Sequence, residues 1–235
     1  MNNSFDLLKK LKLATGHYRK VTFDDPLRTE PVSRLFGIDR GQPIDRYYIE
    51  KFLESNRDFI KGNVLEVAED RYSRMFADPA GQPVFHILHV EEGNAPGRLQ
   101  GDLTRPGTLP ESRYACFICT QTFNFIFEVQ QAVEGAYRLL KPGGVLLATV
   151  AGISQISAYD RDRWGDYWRF TAQSAEKLFY RVFGKDNVVL KVYGNLPAAK
   201  ALLEGLAVED LPDPALLDHP DPEYPVIIGI VAKKN

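Results

Sequence analysis

Apolar positions along the 235-residue chain alternate between two kinds of stretch. Some recur at helical spacing, and others form short, nearly continuous apolar runs. The clearest junction is Leu139–Val150. Upstream of it, Val133, Ala136, Tyr137 and Leu140 share a helical face. Pro142 cannot continue a helix, and Gly143 and Gly144 tolerate positive φ without a Cβ penalty. Val145–Val150 is then almost wholly apolar, as expected of a strand covered on both faces. Helix, Pro-Gly-Gly turn and buried strand together read as a crossover into a parallel sheet. The same reasoning predicts strands at Asn63–Val67, Val84–Val90, from Tyr114, at Val188–Tyr193 and at Val226–Ala232. Helices are expected at Ser4–Leu13, Asp45–Leu53, Ala172–Phe183 and near Ala198–Leu206, with Asp45 and Thr171 as N-caps.

Between these elements lie three segments of different character. Residues 14–40 hold scattered charge and prolines without periodicity, which predicts a loop or lid. Ala151–Thr171 is dense in Tyr, Trp, Asp and Arg and lacks apolar periodicity, a composition that suits a functional loop on a rigid scaffold. Residues 194–225 separate the last two strands and end in an acidic, proline-rich stretch. The organisation read from this is an N-terminal extension over 1–40 and one domain over 41–235 carrying the 194–225 insertion.

Composition narrows the classes. At 44% hydrophobic the chain can bury one sizeable core. A net charge of −2 gives no global pull toward nucleic acid or a membrane surface. No apolar run approaches the ~20 residues that span a bilayer. The N-terminal lysines are not followed by an apolar core, so no signal peptide is expected and a cytoplasmic location is the natural reading. The two cysteines, Cys116 and Cys119, show CxxC spacing. They fall inside a strand-like run, where positions three apart face opposite sides, so buried thiols are expected rather than a metal pair. No metal ligand set is read from the sequence.

Arg138-Leu139-Leu140-Lys141-Pro142-Gly143-Gly144-Val145-Leu146-Leu147 resembles the segment that leads into strand 5 of class I S-adenosylmethionine (SAM)-dependent methyltransferases. The resemblance implies a Rossmann-like α/β fold: a seven-stranded, mostly parallel sheet with the last strand antiparallel and helices on both faces. It also implies SAM as cofactor, with sites carried over by position. Glu66, at the end of the first strand, would help hold the methionine part, with Val67, Ala68 and Glu69 in the following loop. Here the sequence departs from the family: Ala68, Asp70 and Tyr72 stand where G-x-G-x-G is usual. His86 or Glu91 would replace the ribose carboxylate, and Asp102 with Leu103 would meet adenine. Gln121, at the end of the fourth strand, would touch cofactor or substrate, and Tyr47 would reach in from the covering helix. The fourth strand begins Tyr114-Ala115 where relatives have Phe-Asp.

The loop run from Gly152 to Thr171 further resembles methyltransferase-type proteins encoded beside glycosyltransferases in bacterial polysaccharide pathways. That resemblance implies methyl transfer to an oxygen or nitrogen of a small polar acceptor of carbohydrate character. Gln155, Tyr159, Trp164, Tyr167 and Arg169 would bind it, and Asp160, Asp166 or His89 would serve as base without a metal. The expected partners are the small-molecule acceptor and a second copy of the chain, with no nucleic acid and no membrane insertion. The rival reading is a non-catalytic descendant of the fold with a degenerate cofactor site. A nicotinamide oxidoreductase is disfavoured because no G-x-G-x-x-G follows the first strand.

Overall fold

The computed structural model describes residues 28–93 and 96–235. Seven strands form one sheet in the order β3-β2-β1-β4-β5-β7-β6. They are β1 (Asn63–Val67), β2 (Val84–His89), β3 (Arg98–Gln100), β4 (Tyr114–Thr120), β5 (Leu140–Ala151), β6 (Val188–Tyr193) and β7 (Ile227–Lys233). The first five pair in parallel, and β7 runs antiparallel to both β5 and β6. This is the sheet that the apolar runs and the family resemblance predict.

Register explains why these runs are apolar throughout. Val64, Cys116 and Val145 lie side by side and point into one core layer. Leu65, Phe117 and Leu146, one residue on, point into the other. The first layer is closed by α1 (Ile44–Ser55), α2 (Arg71–Phe76) and part of the 194–225 insertion. The second is closed by α3 (Val129–Leu139) and a helix over Ala172–Phe183. Cys116 and Cys119 divide between the layers as their spacing predicts. Burial pushes the Cys119 thiol up to about 12 and raises Cys116 as well, so both are inert protonated thiols at neutral pH.

Element ends depart from expectation in instructive ways. Pro43, not Asp45, caps α1; Asp45 falls in the first turn and accepts the Arg46 N–H at 2.8 Å. A fixed proline φ suits a helix start, and an acid in the first turn still meets the positive end of the helix. The Pro-Gly-Gly turn is absorbed into β5 as a bulge. Tyr114 pairs with Leu140 and Cys116 with Val145, and Gly143 adopts φ +76° within the bulge. The chain leaves β4 not into a helix but through a 3-10 turn at Phe123–Phe125, so α3 starts only at Val129. Thr171 caps its helix as predicted, with Ser174 returning the bond.

A short helix over residues 158–161 (α4) interrupts the Ala151–Thr171 loop; the helix at Ala172–Phe183 is α5. In the insertion α6 spans Leu196–Leu203, capped by Asn195. The described part of the extension packs on this insertion. Arg40 forms a two-pronged ion pair with Asp210 (2.7 and 2.8 Å), and Val32 donates to the Glu204 carbonyl at 2.8 Å. The predicted Ser4–Leu13 helix lies outside the described residues.

Candidate active site

In open α/β sheets ligands bind outside the carboxyl ends of the parallel strands. At the end of β1 the chain turns through Ala68, whose φ of +69° is the left-handed conformation that glycine normally supplies. The turn is held by the Ala68 N–H donating to the Leu88 carbonyl at 2.9 Å. The loop therefore keeps a glycine-like backbone without the glycine. Val67 is half-buried, while Ala68 and Glu69 are exposed at the edge.

Glu66 is 2% exposed. Its carboxylate accepts the N–H groups of Tyr72 (3.1 Å) and Ser73 (2.7 Å) and the Ser73 hydroxyl, and so ties β1 to the first turn of α2. Burial lifts its pKa to about 7 against the pull of those donors. Tyr72 is buried, and its hydroxyl oxygen accepts from Arg46 of α1 at 2.8 Å. Tyr47, on the same helix, donates to Asp218 of the insertion at 2.7 Å.

Two histidines lie on β2 near the position expected for the ribose contact. His86 lies in mid-strand beside Leu65, edge-on to Tyr114 and 3.2 Å from Arg113. The histidine at the carboxyl end of β2 is His89. Its Nδ1 accepts the Glu91 N–H at 3.0 Å, which leaves the ring proton on Nε2. Burial and then Arg98 lower its pKa, so it stands as a neutral donor at neutral pH. The Nδ1 lone pair of His89, one of the candidate bases, is thus engaged by the Glu91 N–H. Glu91 itself is exposed.

Asp102 follows β3. Its Oδ1 accepts the Thr104 N–H (2.8 Å) and hydroxyl (2.7 Å), and its Oδ2 lies 3.3 Å from Arg105. Leu103 is buried against α3, where only glycine fits: a Cβ on Gly135 would stand 2.0 Å from the Leu103 carbonyl oxygen. Gln121, at the end of β4, also adopts a left-handed φ, +50°. Its amide is engaged on both sides, donating to Thr149 (3.1 Å) and accepting from Asn124 (3.1 Å).

The loop after β5 crosses this edge. Trp164 stands edge-on to His89, 5.9 Å between rings, although β4 and β1 lie between their strands in the sheet. The loop is braced from within. Asp166, its side chain fully buried, accepts from Arg169 (2.6 and 3.0 Å) and from the Ser157 N–H (3.0 Å). Burial alone would raise its pKa; Arg169 and the Ser157 N–H outweigh this and hold it low. Asp160 accepts the Ser157 hydroxyl at 2.6 Å. Arg169 also donates to the Gln155 carbonyl at 2.6 Å, and the Gln155 amide reaches the Arg34 carbonyl at 3.3 Å. Tyr159 is 62% exposed beneath the Arg163 guanidinium.

Structure adds Phe127, which carried no sequence signal, to the aromatic residues of this loop. Phe127 is 58% exposed and stacks on Trp168, with Tyr167 (49% exposed) edge-on to it. Among the described residues no group of three or more His, Cys, Asp or Glu could hold a metal ion. No described helix is long and apolar enough to cross a membrane.

These residues fit SAM: a left-handed backbone turn after β1, a donor at the end of β2, an acid after β3 and a covering aromatic loop. At the carboxyl end of β2, where the family usually carries a carboxylate, this chain presents the His89 imidazole.

Residues 82–148 match the methyltransferase domain family. None of the curated proteins matches the chain. A SAM-dependent methyltransferase from Archaeoglobus fulgidus superposes with a TM-score of 0.52 at 10% identity, over 80% of this chain and 94% of its own. One from Mesorhizobium loti gives 0.51 at 12% identity, over 81% and 98%. The cyclase SpnF gives 0.52 at 14% identity, over 97% and 94%. The chain has the Rossmann-like fold of the class I SAM-dependent methyltransferases and matches the methyltransferase domain by sequence from β2 into β5.

Proposed function

We propose that the protein transfers a methyl group from SAM to an oxygen or nitrogen of a small polar acceptor, and that the acceptor is a carbohydrate. The observation that carries the reading is the braced loop lying across the carboxyl edge, with Trp164 against His89. SAM, when bound, supplies an electrophilic methyl group on a sulfonium. The chain's own contribution is to hold the acceptor in line with it and to exclude water, and such positioning can supply much of the rate enhancement.

Exposed rings at Tyr159 and Tyr167 suit the apolar faces of a sugar, and the charged residues between them suit its hydroxyls. Of the three candidate bases, Asp166 is committed to Arg169 and His89 to the Glu91 N–H. Asp160 is left to take the acceptor proton, with the Ser157 hydroxyl orienting it. The resemblance of this loop to polysaccharide-pathway proteins supports the same substrate class.

A second reading, a binding module without methyl transfer, is favoured by one observation: the Glu66 carboxylate is fully engaged by α2. Fold does not decide between them, since a cyclase shares it. Calorimetric titration with SAM and S-adenosylhomocysteine tests the first. Micromolar binding, followed by methyl transfer to a sugar or glycoside in an acceptor screen, is the expected result. Absence of binding at millimolar ligand sinks it and leaves the module.

A further inference from the structure

The turn that ends β4 holds a residue that no motif marks. Asn124 is buried, and its side-chain Nδ2 donates to Gln121 at 3.1 Å while its Oδ1 accepts the Ala151 N–H at 3.3 Å. Its backbone carbonyl accepts two further N–H groups, from Tyr167 (3.0 Å) and Trp168 (3.1 Å). One residue thus joins the end of β4, the end of β5 and the loop that covers them. The remaining contacts show what it holds. Gln121 is kept in its left-handed conformation by Asn124 on one side and Thr149 on the other, and such conformations persist only where the surroundings over-determine them. Trp168 is fixed by its indole N–H donating to the Ile126 carbonyl at 3.0 Å, and Phe127 and Tyr167 pack beside it with exposed faces.

We propose that Asn124 is a positioning residue that ties the cofactor edge at Gln121 to an acceptor wall formed by Phe127, Tyr167 and Trp168. Ligand at Gln121 and the pose of that wall are therefore coupled through Asn124. The inference rests on the methyltransferase reading above. Because coupling between two sites is reciprocal, loosening Asn124 weakens the cofactor end and frees the wall together.

The chain's two tryptophans, Trp164 and Trp168, both lie in the covering loop, so a Trp164→Phe background makes emission a report on Trp168 alone. In that background Asn124→Ala, which keeps the main-chain carbonyl but removes the two side-chain bonds that place it, is expected to shift Trp168 emission to the red. With Trp164 intact, the same change is expected to weaken S-adenosylhomocysteine binding about tenfold, roughly 1.4 kcal/mol. Thr149→Val, which removes only the other support of Gln121, is expected to weaken binding while leaving the emission in place. An Asn124→Ala protein with unchanged emission and affinity within twofold overturns the inference. Should that variant not fold, amide exchange of the unmodified protein decides. S-adenosylhomocysteine is expected to slow exchange at the Tyr167 and Trp168 N–H groups at least tenfold, and unchanged exchange overturns the coupling. Failure of the unmodified protein to bind S-adenosylhomocysteine overturns the methyltransferase reading itself, independently of Asn124.

Discussion

Glu66→Gln tests how the cofactor end of β1 is built. The buried carboxyl has a pKa raised from 4.5 to about 7, chiefly by loss of water, with no cation in contact. A raised folded-state pKa means that the folded protein holds a proton the unfolded chain has already released. The resulting stability is full below about 4.5 and is lost as pH rises through about 7. Over that window the loss amounts to about 3 kcal/mol. Glutamine does not titrate, so its protein lacks this slope. His86 and His89, whose pKa values burial lowers, add stability as pH rises, but they do so in both proteins and cancel in the difference. Urea unfolding of both proteins at several pH values from 4.5 to 7.5 measures that difference. The expected result is a deficit of the variant that shrinks by about 3 kcal/mol across the series. Parallel curves would falsify the claim that Glu66 is buried without a counter-charge.

Other outcomes follow from geometry. Arg169→Ala leaves the fully buried Asp166 carboxylate without its cation and is expected to cost about 2–4 kcal/mol in chemical unfolding. Arg169→Lys, which cannot form the two-pronged pair, recovers less than half of that. Gly135→Ala drives a Cβ to 2.0 Å from the Leu103 carbonyl oxygen; a loss of about 1–3 kcal/mol and weaker S-adenosylhomocysteine binding in calorimetry are expected, despite the better helix former. Ala68→Gly relieves a left-handed alanine, worth about 1–2 kcal/mol against about 0.5–1 for glycine's extra freedom. The variant should melt no lower than the parent, and a marked drop would contradict the φ assigned to Ala68.

The sheet was legible because its central strands are buried on both faces, so Val64-Leu65 and Cys116-Phe117 announce themselves by apolarity alone. The Thr171 cap was legible because its chemistry is local. What could not be read is distance along the sheet. Counting residues from the first strand led to His86, inside the predicted Val84–Val90 strand; the register sets His86 beside Leu65 in mid-strand, and His89 ends the strand. Asn124, placed between two phenylalanines, belongs to no periodic pattern, and its partners lie 27 and about 43 residues away in sequence. Asp102, which the resemblance assigned to adenine, spends Oδ1 on its own turn at Thr104 while Oδ2 faces Arg105, partners that spacing alone does not reveal.

The position of β7 bears on the order of assembly. It is the last strand in sequence, yet it lies between β5 and β6. Until residues 227–233 emerge during synthesis, β6 has no strand beside it, and the open side of β5 presents its backbone groups to solvent or to a neighbouring chain. The β3-β2-β1-β4-β5 half can form early from near-consecutive pairings. Closing the other half waits for a segment separated from β5 by α5, β6 and the whole insertion. That long-range closure is expected to be the slow step, and the interval before it is when nascent chains are most exposed to aggregation.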